Sequence, residues 1–222
     1  MPDEYGILID QLFRHQGYGP DDVTGVALAS VVPPLTPVFE QACQAYLGQA
    51  PLTVDAGVRT GVSIRYDTPR EVGADRVVDA AAVKALYGLP ACVVDFGTAT
   101  TFDAVSGEGD YLGGAIAPGI GIAAQALFER TAKLPRVELT RPPSAIGRNT
   151  PHSIQSGLLF GYVGLVEGMV ARFKAELGPE TRVIATGGLA EIISQETDVI
   201  DVVDPWLTLH GLRIVYELNR EE

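Results

Sequence analysis

The chain has 222 residues, 46% of them apolar and 20% charged, with 28 acidic against 16 basic side chains and a net charge of −12. That length suits one large domain or two small ones with a sizeable core, and scattered lysines and arginines without a basic run argue against a nucleic-acid or anionic-membrane surface. No apolar stretch reaches the roughly 18–20 residues that span a bilayer, and no basic-then-apolar leader opens the chain, so a cytoplasmic protein without a membrane partner is expected.

The first helix is read over residues 4–15, where Tyr5, Leu8, Ile9, Leu12 and Phe13 recur at helical spacing. A turn at Gly19-Pro20-Asp21-Asp22 leads into "TGVALASVV", a short buried strand stopped by Pro33-Pro34. Those prolines suit a helix start, and Leu35, Val38, Phe39, Ala42, Tyr46 and Leu47 form its stripe. "PLTVDAG" reads as a second strand. An irregular segment at 58–76 then runs into the alanine-rich helix "VVDAAAVKALYG", and Gly88-Leu89-Pro90 marks a boundary between domains at 1–89 and 90–222. Cys43 and Cys92 lie in apolar periodic segments and read as buried thiols, too few for a disulfide framework.

The second half opens with the hairpin "VVDFGTATTFDAV" and a third strand, "GDYLGGAIAPG". A helix over 122–133, an ordered loop over 134–148 and a long helix over 153–177 follow. "RVIATGG" is a strand meeting a glycine turn, and a short helix, a strand in "DVIDVV" and a helix over 207–218 complete the chain. Strands that first pair as hairpins and then alternate with helices give a mixed α/β plan of the ribonuclease H-like type. The first half lacks the three hairpin strands that open the second. If the halves are duplicates, the first domain is N-terminally truncated.

Four stretches carry candidate chemistry. In the hairpin, Gly97 lets backbone approach a phosphate, and Thr98, Thr100 and Thr101 offer neutral donors. Asp95 beside them can hold a cation. The plain alternative is a hairpin with strand-favouring threonines. In "GADR", Asp75 and Arg76 either pair a general base with a carboxylate anchor, or are a helix cap and a surface charge. In "AIGRNTPHSIQSG", Asn149 or Thr150 before Pro151 is an ordinary helix start, and His152 reads as exposed. "ATGGLA" places glycines at a strand end, but it is not the G-x-G-x-x-G of a dinucleotide fold. No zinc spacing, nucleophile elbow or Walker lysine is present in the sequence.

In this order, "SVVPPLT", "YDTPREVGADR", "VVDFGTATTFD", "YLGGAIAPG", "AIGRNTPHSIQSG" and "TGGLA" give a sequence that resembles the type III pantothenate kinases over nearly its whole length. The resemblance implies an actin-like ATPase architecture of two ribonuclease H-like domains, a homodimer with its active site near the subunit interface, and ATP-dependent phosphorylation of pantothenate, the first step of coenzyme A synthesis. It implies Asp75 as proton acceptor and Arg76 as partner of the pantothenate carboxylate. Gly73 and Ala74 line the same pocket, Tyr66 contacts substrate and Thr150 completes the pantothenate site. Gly97 and Thr98 meet ATP, and Asp95 binds potassium or ammonium, with Mg2+ accompanying the nucleotide. The family's opening D-x-G-N-T strand is not in this sequence, which is the second sign of a truncated first domain. An alternative is a non-catalytic relative that binds a small acid or nucleotide as a regulatory module, and a phosphatase of the same superfold is a third reading.

Overall fold

A computed structural model describes residues 1–220. Seven helices and eight strands of these residues fall into two compact units. The first unit comprises residues 1–62 and 67–82 with the chain from Thr208 onward, and the second comprises residues 63–66 and 83–207. This division differs from a single boundary at Leu89. It passes through the alanine-rich helix, and it joins the C-terminal helix to the N-terminal segment.

In the first unit, α1 (Pro2–His15) lies on α2 (Thr36–Leu47). The Tyr5 and Phe39 rings meet at 4.5 Å, and the Tyr46 hydroxyl donates to Asp3 at 3.0 Å. The expected strand in "TGVALASVV" contracts to β1 (Ala27–Leu28), which pairs in parallel with β2 (Leu52–Thr53). Among the described residues β1 has no other strand neighbour. The small core gathers Val54 and Leu52 from β2 and its exit, Val78 and Ala81 from α3 (Ala74–Leu86), and Leu212 and Val215 from the C-terminal helix α7 (Leu207–Asn219).

The second unit is built on a six-stranded sheet in the order β3 (Ser63–Ile64), β6 (Asp110–Pro118), β5 (Ala99–Val105), β4 (Ala91–Phe96), β7 (Arg182–Thr186) and β8 (Val202–Val203). β4, β5 and β6 form the expected antiparallel meander. β7 and β8 then add in parallel on the other side of β4. β4 lies in the middle of the sheet, and its Ala91-Cys92-Val93-Val94 run is fully buried, as an unbroken apolar strand covered on both faces should be. Burial raises the Cys92 thiol to about 12, so this cysteine is inert packing. Cys43 is buried as well.

Further features depart from the sequence reading. The segment at 58–76 contains β3 (Ser63–Ile64), which pairs with β6 through Ser63–Asp110 and Ile64–Tyr111; two residues are too few to leave a periodic signal. Another is α5 (Thr150–Leu177), which starts three residues earlier than expected because Asn149 caps it, its side chain accepting from the His152 amide at 2.9 Å. By length and composition α5 is apolar enough to cross a membrane, contrary to the expectation drawn from the sequence. Its apolarity has a local cause: Ile154, Leu158, Leu159, Val163, Val166 and Val170 pack against Val94, Phe96 and Phe102 of the sheet, with α4 (Ile120–Glu129) and α6 (Ala190–Ser194) around the same core. Each such side chain contributes roughly 1.5–3 kcal/mol relative to exposure.

Candidate functional site

The hairpin turn is tighter than the threonine run suggests. Phe96 and Thr100 are the last paired positions, which leaves Gly97, Thr98 and Ala99 to turn the chain. Only Gly97 and Thr98 are exposed there. The two-residue period of β5 sends the next side chains elsewhere. Thr100 is fully buried with no hydrogen-bond partner on its hydroxyl, and the Thr101 hydroxyl donates to Asp103 at 2.9 Å. Thr100 and Thr101 therefore do not present free hydroxyls at the turn, which corrects the sequence reading of them as donors and leaves Gly97 and Thr98 as its exposed residues.

Asp95 sits half-buried near the end of β4, opposite Thr101 on β5 and Thr186 on β7. Two glycine turns bound it. A Cβ on Gly97 would lie 3.5 Å from Asp95 Oδ2, whereas one on Gly187 would collide with Asp95 Oδ1 and fall 2.7 Å from the Phe96 carbonyl carbon. With φ at +88°, Gly187 is required by both space and backbone conformation. The amide of Gly119, just before α4, donates to the Thr98 carbonyl at 3.1 Å. Two chain turns thus meet at one carboxylate, and a third packs on the hairpin turn beside it. Gly187 is a site neighbour that "TGGLA" carries in plain view, yet nothing in its spacing ties it to Asp95.

"GADR" lies in the first unit, where Gly73 precedes α3 and Ala74, Asp75 and Arg76 form its first turn. Asp75 is inside the helix instead of at the cap, and its Oδ1 accepts from the Arg76 amide at 2.8 Å. It thereby satisfies one of the donors that a helix start leaves open. Asp75 and Arg76 are both half-buried, and Arg76 Nη2 is shielded from solvent, so Arg76 is not a plain surface charge. Gly73 lies beside the Asp75 carboxylate and 3.2 Å, measured from its would-be Cβ, from Val31. Val31 belongs to a loop held by Ser30, which accepts from Thr36 Oγ1 at 2.9 Å and from the Val32 amide at 3.2 Å. That "SVVPPLT" meets "GADR" was not legible in the sequence.

Tyr66 and Thr150 belong to the second unit. The Tyr66 ring lies over Gly113 of β6 and 6.4 Å from the Tyr111 ring, and 39% of the residue remains exposed. Thr150 opens α5 at the rim of a cleft of about 680 Å³ lined by Leu127, Leu134, Gly147, Arg148, Asn149 and Ile154, among others. His152, read from the sequence as exposed, is half-buried at the helix start, where its Nδ1 is 3.2 Å from Asn149 Nδ2. Among the described residues no group of three or more His, Cys, Asp or Glu is placed to hold a metal ion.

Fold and sites together define a mixed α/β protein with a glycine-bounded carboxylate at one sheet end and an Asp-Arg pair at a helix start. The profile of the type III pantothenate kinase family matches residues 1–172. A type III pantothenate kinase of Moorella thermoacetica is 58% identical over 217 residues, covering 98% of this chain and 85% of that protein. The chain belongs to the type III pantothenate kinase family. Its fold is also similar to that of a Campylobacter jejuni protein assigned to the Baf family of transcriptional activators, with a TM-score of 0.58 over 90% of this chain and 86% of the other. At 18% identity that likeness is one of fold alone.

Proposed function

We propose that this chain transfers the γ-phosphoryl group of ATP to the primary alcohol of pantothenate, the first step of coenzyme A biosynthesis. Membership of the family supports the reaction, and the observation that carries the assignment of roles is the Asp75–Arg76 pair in the first turn of α3. The alcohol oxygen attacks the γ-phosphorus, the bond to the ADP oxygen breaks, and the alcohol proton passes to the Asp75 carboxylate. The Arg76 guanidinium, a planar fork, suits the pantothenate carboxylate, which a protein of net charge −12 would otherwise repel. Gly73 and Ala74 beside Asp75, and separately Tyr66 and Thr150, are assigned to substrate binding.

Gly97 and Thr98 are assigned to the ATP phosphates. The turn is exposed and its glycine leaves the backbone open to approach, both of which support that role. Asp95 is assigned to a monovalent cation, potassium or ammonium. A half-buried carboxylate between two glycine turns offers one negative charge that neither glycine covers with a side chain, which supports that assignment. The cation would supply positive charge near the nucleotide phosphates. A divalent ion, Mg2+, accompanies ATP.

We further infer an actin-like architecture in which the second unit is ribonuclease H-like; the meander β6-β5-β4 continued in parallel by β7 and β8 supports it. A homodimer, cytoplasmic and without nucleic-acid or membrane partners, completes the reading. Leu112, Ile116, Ile122, Phe128 and Ile146 of the second unit are exposed and apolar, which suits a contact between copies.

The test of the chemistry is Asp75→Asn, assayed by direct measurement of phosphopantothenate. Turnover should fall roughly 10²–10⁴-fold, the usual span for a general base, with ATP binding little changed. Normal turnover would return Asp75 to the purely structural task of satisfying the start of α3.

A further inference from the structure

The antiparallel register between β5 and β6 slips by one residue. Ala104 faces Gly113, but Val105 faces Tyr111, so Leu112 is the extra residue of a β-bulge. Gly113 follows it with φ at +116°, a conformation that side-chain-bearing residues rarely adopt. Bulges re-aim what lies against them, and what lies here is Tyr66. β3 brings it in: Ile64 pairs with Tyr111, and the Arg65 amide donates to the Tyr111 carbonyl at 2.8 Å. A Cβ on Gly113 would stand 3.1 Å from Tyr66 Cε2 and 3.2 Å from Cδ2, closer than a side-chain carbon rests comfortably. Tyr111, fully buried, is itself anchored, its hydroxyl donating to Asp103 Oδ1 at 2.8 Å. The Tyr66 ring therefore rests against a seat made of a missing side chain and a fixed ring.

We propose that Gly113 is a positioning residue for Tyr66: the absence of a side chain there sets how close the ring lies to β6, and hence how much room the ring leaves for pantothenate. This rests on the reading of Tyr66 as a substrate contact. Alanine at Gly113 pushes the ring outward by a few tenths of an ångström and narrows that room, without touching the groups assigned to ATP. Because the backbone conformation alone would also strain an alanine, the test must separate the ring from the strain.

A double-mutant cycle does so. Gly113→Ala, Tyr66→Ala and the double variant are compared with the unchanged chain for kcat, KM of pantothenate, KM of ATP and Tm. The expected result is a rise of about 3- to 10-fold in KM for pantothenate in Gly113→Ala, with kcat and KM for ATP near the original. In the Tyr66→Ala background the same substitution should add nothing to that KM, although its cost in Tm persists. An equal KM factor in both backgrounds would assign the effect to backbone strain and overturn the proposal. If Tyr66→Ala leaves KM for pantothenate unchanged, the reading of Tyr66 as a substrate contact fails first. Should Gly113→Ala not fold, Tyr66→Trp presses a larger ring on the unaltered glycine. An unchanged KM for pantothenate in that variant would equally overturn the proposal.

Discussion

Asp95 and Asp103 stand on the same face of one sheet and have different surroundings. Asp95 is paired with Thr101, and Asp103 lies two residues beyond Thr101 on β5, so the pleat aims all three side chains the same way. In the middle of the sheet, Asp103 is buried and accepts from two hydroxyls, Thr101 at 2.9 Å and Tyr111 at 2.8 Å. At its end, Asp95 is half-buried and bounded by the glycines of two turns. The hydroxyl donors around Asp103 hold that carboxylate for structure, whereas the two turns beside Asp95 keep side chains away from it by being glycine. The neighbours, more than the residue type, distinguish the two roles.

The largest expected effect breaks the comparison at Asp95, the proposed cation site. Asp95→Asn keeps the shape and removes the charge. Activity should fall by about 10²-fold or more, the scale for losing a preorganised electrostatic group, and what remains should no longer distinguish potassium or ammonium from sodium. Equal rates of the unaltered chain in potassium and sodium would remove the cation from Asp95 altogether.

The converse holds at Asp103. Asp103→Ala strips the acceptor from the Tyr111 hydroxyl, which is fully buried, and an orphaned buried donor costs about 1–3 kcal/mol. For a chain of this size Tm should drop on the order of 5 °C, while the response to potassium survives at temperatures where the variant is folded. A variant that keeps its Tm but loses cation dependence would reverse the two assignments.

Much of the fold was legible because it rests on strong local signals. The unbroken apolar run of β4, the glycine turn of the hairpin, and Asn149 before Pro151 all mark their elements by short-range physics. What was not legible rests on contacts between distant segments. Two-residue strands such as β1 and β3 are fixed by the partner they lie beside, so their own sequence carries no period. The same holds within the site. Asp95, Gly97 and Thr98 are neighbours in sequence and were read together, whereas Gly187 reaches Asp95, and Gly113 reaches Tyr66, only through sheet register. The threonines show the opposite error: three of them close together read as one donor group until strand alternation divides them between turn, core and Asp103.

A third carboxylate of the sheet gives the smallest effect and sharpens the contrast from the outside. Asp110, at the start of β6, is bonded to Arg65 Nε at 2.9 Å, and the arginine is mostly exposed. The hydrogen bond from Arg65 holds the Asp110 carboxyl below the usual carboxylate range. A carboxyl whose folded value is depressed contributes stability that is fully present above its unfolded value, about 3.9, and is lost as pH falls through the folded value. Asp110→Asn should therefore lower Tm slightly at pH 7, and the gap between variant and unaltered chain should close as pH falls below about 4. Raising the salt at pH 7 should shrink the same gap, since exposed pairs are screened. The check is Tm of both chains across that pH range and at low and high salt, with activity at pH 7 unaffected. A gap that stays constant in acid would mean that Asp110 acts through packing of β3 on β6 and not through its charge.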